Sequence, residues 1–301
     1  MQFFDLMNLK FDNTSHILKL TRFKWRGIMK LGNFQIHYLN GGMTNMDGGT
    51  MFGAVPKPLW SRKLEPNDKN QVRMSTHPIL VLTEDKNILI DTGLGNGKLT
   101  DKQKRNSGVE NESFVKKELA DYNLSPEDID IVLMTHMHYD HAAGLTDNEG
   151  HAQFPNAIHY IQQDEWHEFN APNIRSKATY WPQNQGDYKE NVILFENDIE
   201  PYPGIKMQHT GGHSFGHSII TIESNNEHAV HMADIFPSHA HSNPLWLTSY
   251  DDYPMQSIRE KERLIPYFIQ NDYWFLFYHD ADYFAVKYDK KDKTMKDTIK
   301  R

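Results

Sequence analysis

The six residues His136-Met137-His138-Tyr139-Asp140-His141 constrain this chain more than any other part of it. They follow "IDIVLMT" (129–135), an apolar, β-branched run that reads as a buried strand. Alternate residues of an extended segment point the same way. His136 and His138 can therefore reach one ion from one side. Asp140 and His141 lie where the chain turns and can face a second ion nearby. The spacing suits a dinuclear site with ions roughly 3.5–4 Å apart. The following Ala142-Ala143-Gly144 is expected to let the backbone turn into a helix without crowding the ions. The bland alternative is a histidine-rich surface loop. It suits a lone histidine better than four such residues in one register.

Composition narrows the chemistry. The 301 residues include no cysteine, so disulfides, thiolate metal sites and cysteine nucleophiles are excluded. A metal site must use His, Asp or Glu, which suits zinc, manganese, iron or cobalt. Forty acidic against 32 basic residues leave a formal charge of −8, where a nucleic-acid binder usually shows a basic excess. No run approaches the ~18–20 apolar residues of a membrane span, and the N-terminus has no apolar core of signal-peptide type. The expectation is a soluble, cytoplasmic protein acting on a small molecule, with neither nucleic acid nor membrane as partner.

Residues 1–28 look unlike the rest. They carry Lys10, Lys19, Arg22, Lys24 and Arg26 against Asp5 and Asp12, without clean periodicity. They read as an appended segment, either an upstream in-frame start or a surface helix. A single domain is expected over 29–301. "MKLGNFQIHYLNGG", from Met29, reads as its first strand. "PILVLTE" (78–84) and "NILIDTG" (87–93) read as a hairpin about Asp85-Lys86. "ESFVKKELADY" (112–122) reads as a helix, and Ser125, Pro126 and Asp128 as a helix start of capping-box type. Further strands are expected near 157–161, 204–209, 217–223 and 228–232. A helix over about 253–267 and a last strand, "YWFLFY" (273–278), follow. From Lys287 the chain reads as a solvated tail. Strands and helices alternate, so the class is mixed α/β.

Three more ligand candidates each follow an expected strand: His213 in "HTGGHSFGH" (209–217), Asp234 in "HMADIF" (231–236) and His279 in "FLFYHDAD" (275–282). A rival motif overlaps them. Gly212-His213-Ser214-Phe215-Gly216 matches G-x-S-x-G, with Asp234 and His279 in the order a serine hydrolase needs. That motif demands strand–turn–helix, but "HSIITIE" (217–223) reads as a strand. The serine reading also leaves residues 136–141 unexplained. His217, four residues after His213, reads as a structural neighbour of the site rather than a ligand.

Taken together, "LIDTG" (89–93), "THMHYDH" (135–141), "GGH" (211–213), "AD" (233–234) and "YHD" (278–280) resemble the metallo-β-lactamase superfamily, in that family's order. The resemblance runs from about residue 32 to 285. It implies a four-layered αβ/βα sandwich with the site at one edge of the two sheets. It implies that His136, His138 and His213 hold one divalent ion, that Asp140, His141 and His279 hold a second, and that Asp234 bridges them. Zinc is the expected metal. Asp91 is implied as an outer residue orienting the histidine loop. A histidine at 138, where redox di-iron relatives place a carboxylate, favours the hydrolytic branch.

Within the superfamily the chain most resembles the quorum-quenching N-acyl homoserine lactone lactonases. This implies lactone opening by a metal-bridging hydroxide, with Asp140 both ligand and proton donor. Ester, phosphotriester and thioester hydrolysis on the same site are the alternatives. The Pro-stiffened stretch "GGTMFGAVPKPLW" (48–60) offers Met51, Phe52 and Trp60 as cover for an acyl chain, and Phe236 is a further substrate-side candidate. Many such lactonases carry a tyrosine three residues after the bridging aspartate. Pro237 stands there in this chain, leaving Ser238, His239 and Tyr250 as candidate replacements. A homodimer is an expectation from the resemblance alone.

Overall fold

The computed structural model describes residues 29–301; residues 1–28, read above as an appended segment, lie outside the described residues. Met29 opens a hairpin rather than the expected single strand. β1 (Met29–Leu31) and β2 (Phe34–Tyr38) pair antiparallel across a turn where Gly32 takes a φ of 58°, a left-handed conformation that glycine adopts without strain. β3 (Met43–Asp47) and β4 (Gln71–Ser75) form a separate two-stranded sheet. β5 (Ile79–Leu82) and β6 (Asn87–Ile90) are the hairpin expected about Asp85-Lys86. With β7 (Ile131–Leu133), β8 (Ile158–Gln162) and β9 (Val192–Phe195) they complete a seven-stranded sheet in the order β1-β2-β5-β6-β7-β8-β9.

A second seven-stranded sheet follows in chain order. Its strands are β10 (Asp198–Tyr202), β11 (Ile205–His209), β12 (Ser218–Ser224), β13 (Glu227–His231), β14 (Trp274–Leu276), β15 (Tyr283–Tyr288) and β16 (Met295–Lys300). The solvated tail expected from Lys287 is therefore wrong. Lys and Asp side chains of β16 face solvent while its backbone pairs with β15, and charge on an exposed edge strand blocks further pairing. Arg301 then lies over the Phe284 ring at 4.3 Å and donates to the Phe277 and Asp280 carbonyls. "YWFLFY" is likewise not the last strand.

The layers follow from strand alternation. Ile88 and Ile90 of β6, Ile131 and Leu133 of β7, and Ile220 and Ile222 of β12 meet in one core between the sheets. The intervening Leu89 and Val132 point outward to a second core, with α1 (Val115–Leu119) and α2 (Gln163–Asn170). Ile219, Val230 and Phe275 point outward from the other sheet to α3 (Pro254–Gln270). Both faces of each sheet are covered, which is why these strands read as near-continuous apolar runs. The result is the αβ/βα sandwich. α1 is shorter than the span expected for it and passes into a 3-10 turn ending at Tyr122. The capping pattern forms, with Asp128 accepting from the Ser125 N–H at 2.8 Å and its hydroxyl at 2.7 Å.

Candidate metal centre

One edge of the sandwich gathers every ligand candidate. β6 runs parallel to β7, and β13 parallel to β14. Asp91, residues 136–141, Asp234 and His279 lie past the C-terminal ends of these strands. β12 is antiparallel to β13, so its N-terminal end, preceded by His213, lies at the same edge. Gly212 takes a φ of 94°, and a Cβ there would come within 2.6 Å of Ser257 Oγ; glycine alone lets this loop lie against α3. In the Ala142-Ala143-Gly144 run, a Cβ at Gly144 would come within 2.1 Å of the Thr92 carbonyl oxygen, so glycine there also serves close backbone packing.

The candidates form interlocking groups: His136, His138 and His213; His136, His141 and Asp234; and Asp140, His141 and His279. Asp234 faces both ways. Its Oδ2 lies 3.3 Å from His213 Nε2 and 3.8 Å from His136 Nε2. Its Oδ1 lies 3.2 Å from His279 Nε2 and 3.3 Å from His141 Nε2. Ala233, beside it, has a φ of 44°, an uncommon conformation for a residue with a Cβ, of the kind that clusters at functional sites.

Outer partners decide which ring nitrogens carry protons. His141 Nδ1 meets the Asp91 carboxylate at 2.8 Å, His213 Nδ1 the Asp251 carboxylate at 2.9 Å, and His279 Nδ1 the Ser75 carbonyl at 2.7 Å. Carboxylates and carbonyls only accept, so each Nδ1 donates and, in the neutral ring, each Nε2 is a lone pair turned inward. His141 Nε2 and His279 Nε2 then face each other at 3.1 Å, and His213 Nε2 faces His138 Nδ1 at 3.0 Å. His136 Nε2 and Asp234 Oδ1 are buried without a hydrogen-bond partner. Opposed lone pairs and orphaned buried acceptors are what divalent cations satisfy, so the residues fit a metal.

Electrostatics divide the histidines. Burial opposes charge on His141 and His213, but Asp234 and the carboxylates behind them outweigh it and raise both above the usual imidazole range, so without an ion these rings hold a proton that a bound cation would displace. Burial, reinforced by the neighbouring histidines, holds His136 and His138 well below the usual range, in the neutral form that binds metal. Burial opposes charge on Asp234, but His279, His141 and His213 outweigh it and keep the group ionised. Asp91, at a φ of 55°, also accepts from the Thr135 N–H at 2.8 Å and hydroxyl at 2.7 Å. Burial would raise its pKa; the His141 contact dominates and brings it to about 2.

The other expected residues divide. His217 takes the Asp234 backbone N–H on Nε2 (3.2 Å), so its neutral ring donates from Nδ1 to Thr210 Oγ1 (2.8 Å) and positions Asp234 from behind. Met51 lines the small pocket above the clusters, with Asp140, His213, Asp234 and His279. Phe52 and Trp60 do not line it: they stack at 4.9 Å in a buried cluster beneath. Phe236 is sealed in the outer core against Phe275 and Phe277. Of the candidates for the donor replacing the tyrosine, Tyr250 lines the pocket, whereas Ser238 bonds His241 and His239 bonds Asp280. Ser214 is fully buried and donates to Glu165, which no nucleophile elbow would do. Sequence reasoning missed Asp251, the Ser75 carbonyl and Tyr278. Tyr278 stacks on His141 at 4.3 Å and donates to the Asp140 carbonyl at 2.7 Å. Its place beside His279 was the available signal; Asp251 offered none.

Comparison with known proteins agrees with this geometry. The sequence profile of the metallo-beta-lactamase superfamily matches residues 73–267. The crystal structure of a probable metal-dependent hydrolase from Staphylococcus aureus is 67% identical, with a TM-score of 0.90 over 91% of this chain and 99% of that one. AidC, a dizinc quorum-quenching lactonase solved with a product, shares the fold at 21% identity, with a TM-score of 0.76 over 92% of this chain and 97% of that one. An N-acyl homoserine lactonase from Bacillus sp is 27% identical over 159 residues, which span 48% of this chain and 57% of that protein. With its paired sheets, its convergent His and Asp clusters and these matches, the chain belongs to the metallo-β-lactamase superfamily, as a metal-dependent hydrolase related to the N-acyl homoserine lactonases.

Proposed function

We propose that the protein is a dinuclear hydrolase that opens lactone rings, with N-acyl homoserine lactones as the leading substrate class. The observation that carries the reading is the pocket wall. Beside the ligand candidates it comprises Thr44, Met46, Met51, Met74, Tyr139, Thr248 and Tyr250, with no Lys or Arg among the described residues that line it. An anionic phosphodiester or a carboxylate-bearing thioester would find no cationic side chain there, whereas a neutral lactone needs none. The cavity, of about 30 Å³, has room for about one water. Entry of a ring and acyl chain therefore requires the methionines to move, and their unbranched side chains suit that. The lactonases among the relatives support the same substrate class.

In this reading His136, His138 and His213 hold one ion and Asp140, His141 and His279 the other, with one Asp234 oxygen toward each. Zinc suits an all-nitrogen-and-oxygen donor set, with manganese, iron and cobalt as rivals. Bound there, the ions would activate water at neutral pH and polarise the substrate carbonyl. Asp140, 21% exposed at its side chain, faces the pocket and is placed to hand a proton to the leaving ring oxygen. The Tyr250 hydroxyl is the donor we assign to the substrate carbonyl in place of the tyrosine absent at Pro237. Thr248 Oγ1 donates to Asp251 at 2.8 Å, which commits that neighbouring hydroxyl elsewhere.

The same uncharged wall would accept a neutral phosphotriester, which is the second reading. A panel of homoserine lactones of several acyl lengths, simple lactones, a phosphotriester and a thioester separates them, run on one preparation with elemental analysis. Lactone turnover with about two ions per chain is the expected result. Phosphotriester turnover without lactone turnover would move the assignment to the second reading.

A further inference from the structure

The two loops that carry the enclosed histidine cluster do not touch through their histidines alone. Behind them lies α2, and from its first turn Glu165 projects a side chain that is 1% exposed. Its Oε1 accepts from the Met137 backbone N–H at 2.7 Å, and Met137 sits between His136 and His138. Its Oε2 accepts from the Ser214 hydroxyl at 2.5 Å, and Ser214 follows His213. The Tyr180 hydroxyl completes the set on Oε1 at 2.9 Å, while its ring packs edge-on against His138.

The helix is itself fastened to the second loop. Gln162 accepts from the Asp164 and Glu165 N–H groups at 2.5 and 3.0 Å, and a Cβ at Gly216 would come within 2.1 Å of the Glu165 nitrogen. Glu168, one turn on, accepts from the Phe215 N–H at 3.2 Å.

A buried carboxylate is expensive unless it is fully hydrogen-bonded, and replacing it leaves its donors unsatisfied. All three partners of Glu165 point donors at it, and the Met137 N–H can do nothing else. We propose that Glu165 is a positioning residue for metal binding: one carboxylate ties the loop of His136 and His138 to the loop of His213 and so sets the spacing of that cluster. This rests on the reading that the cluster holds an ion. Without the tie the loops would relax apart and the ligands would lose their shared focus, although every ligand remained.

The test is Zn²⁺ affinity, measured by competition with a chromophoric chelator on the full chain. Glu165→Met keeps the length of the side chain but removes both acceptor oxygens, leaving the buried Met137 N–H without its partner. The expected result is an about 10–100-fold weaker affinity for one of two ions, the range for loss of an outer partner. The thermal midpoint of the metal-free protein should fall only by the few degrees that an unpaired buried donor costs, the affinity loss should exceed what that accounts for, and excess Zn²⁺ should restore full occupancy. A merely structural role would leave Zn²⁺ affinity intact whatever the fall in the metal-free midpoint, which would overturn the proposal. Ser214→Ala cuts the tie from the other side without touching Glu165, and keeps the question decidable if the first variant fails to fold. It should weaken the same ion; wild-type affinity in it would refute the tie. Wild type binding no Zn²⁺ would remove the metal reading and the clamp with it, whereas two tight ions in both wild type and variants would remove the clamp alone.

Discussion

His136, His138 and His213 are each at most 4% exposed, whereas Asp140 in the neighbouring cluster shows 21% of its side chain to the pocket. The enclosed cluster has carboxylates behind it, Asp251 on His213 and Glu165 on the flanking loops. The open cluster leans on Asp91, a backbone carbonyl and the ring of Tyr278, and its free side faces Met51 and Tyr250. Both draw on Asp234. If the site works as proposed, the first cluster, which reaches the pocket through His213 alone, holds its ion, and the second, which reaches it through Asp140 and His279, meets substrate.

The change that should erase the contrast is Asp234→Ala, since it removes the oxygen facing each cluster. Hydrolysis should fall to background, and elemental analysis after dialysis should find both ions depleted. Retention of one ion at full occupancy would show that the clusters are more independent than the geometry indicates.

Changes confined to one cluster should separate the two. Asp140→Asn keeps the size of the side chain but cannot deliver a proton as the acid does. kcat at saturating metal should drop by about 10²–10⁴-fold, the usual contribution of a general acid or base, and the second ion should bind more weakly because a ligand oxygen is replaced. Asp251→Asn acts on the enclosed side. His213 Nδ1 would lose its carboxylate partner, and metal affinity should weaken by about 10–100-fold, with turnover restored by added metal. A kcat loss in Asp251→Asn that excess metal does not rescue would contradict the assignment of that cluster to holding rather than reacting. Tyr250→Phe belongs to the open side and should cost about tenfold in kcat/KM for lactones, as loss of one hydrogen bond to developing charge would, at unchanged metal content.

How far the sequence reached differs between these regions for physical reasons. Residues 136–141 were legible as candidates because they are contiguous, and the structure gathers them into groups that could hold metal. His213, Asp234 and His279 were legible because each follows a strand that reads clearly on its own. Asp251 and Glu165 were not. Asp251 sits 38 residues from His213, and Glu165 sits 28 from Met137 and 49 from Ser214, in segments whose local pattern says nothing about where they point. The sandwich was legible in its core strands, where apolar runs are unbroken. It was missed at β16, where charged side chains on an edge strand look like a tail. Phe52, Trp60 and Phe236 misled because an aromatic facing a core and one facing a substrate have the same composition; only burial tells them apart.

That last distinction gives the smallest expected effect on catalysis. Phe236 lies two residues after Asp234, near enough in sequence to look like part of the pocket. It is 2% exposed, and its ring packs at 5.5 Å from Phe275 and 5.3 Å from Phe277, on the side of the second sheet that faces α3. Phe236→Leu removes ring volume from a closed core and should cost about 1–2 kcal/mol of stability, read by denaturant unfolding. KM for lactones of every acyl length should stay at the wild-type value. Met51→Ala, on the pocket wall, should do the reverse, shifting acyl-length preference by more than it shifts stability. A change in acyl preference with Phe236→Leu would place substrate on the far side of Asp234 and would require the pocket to be redrawn there.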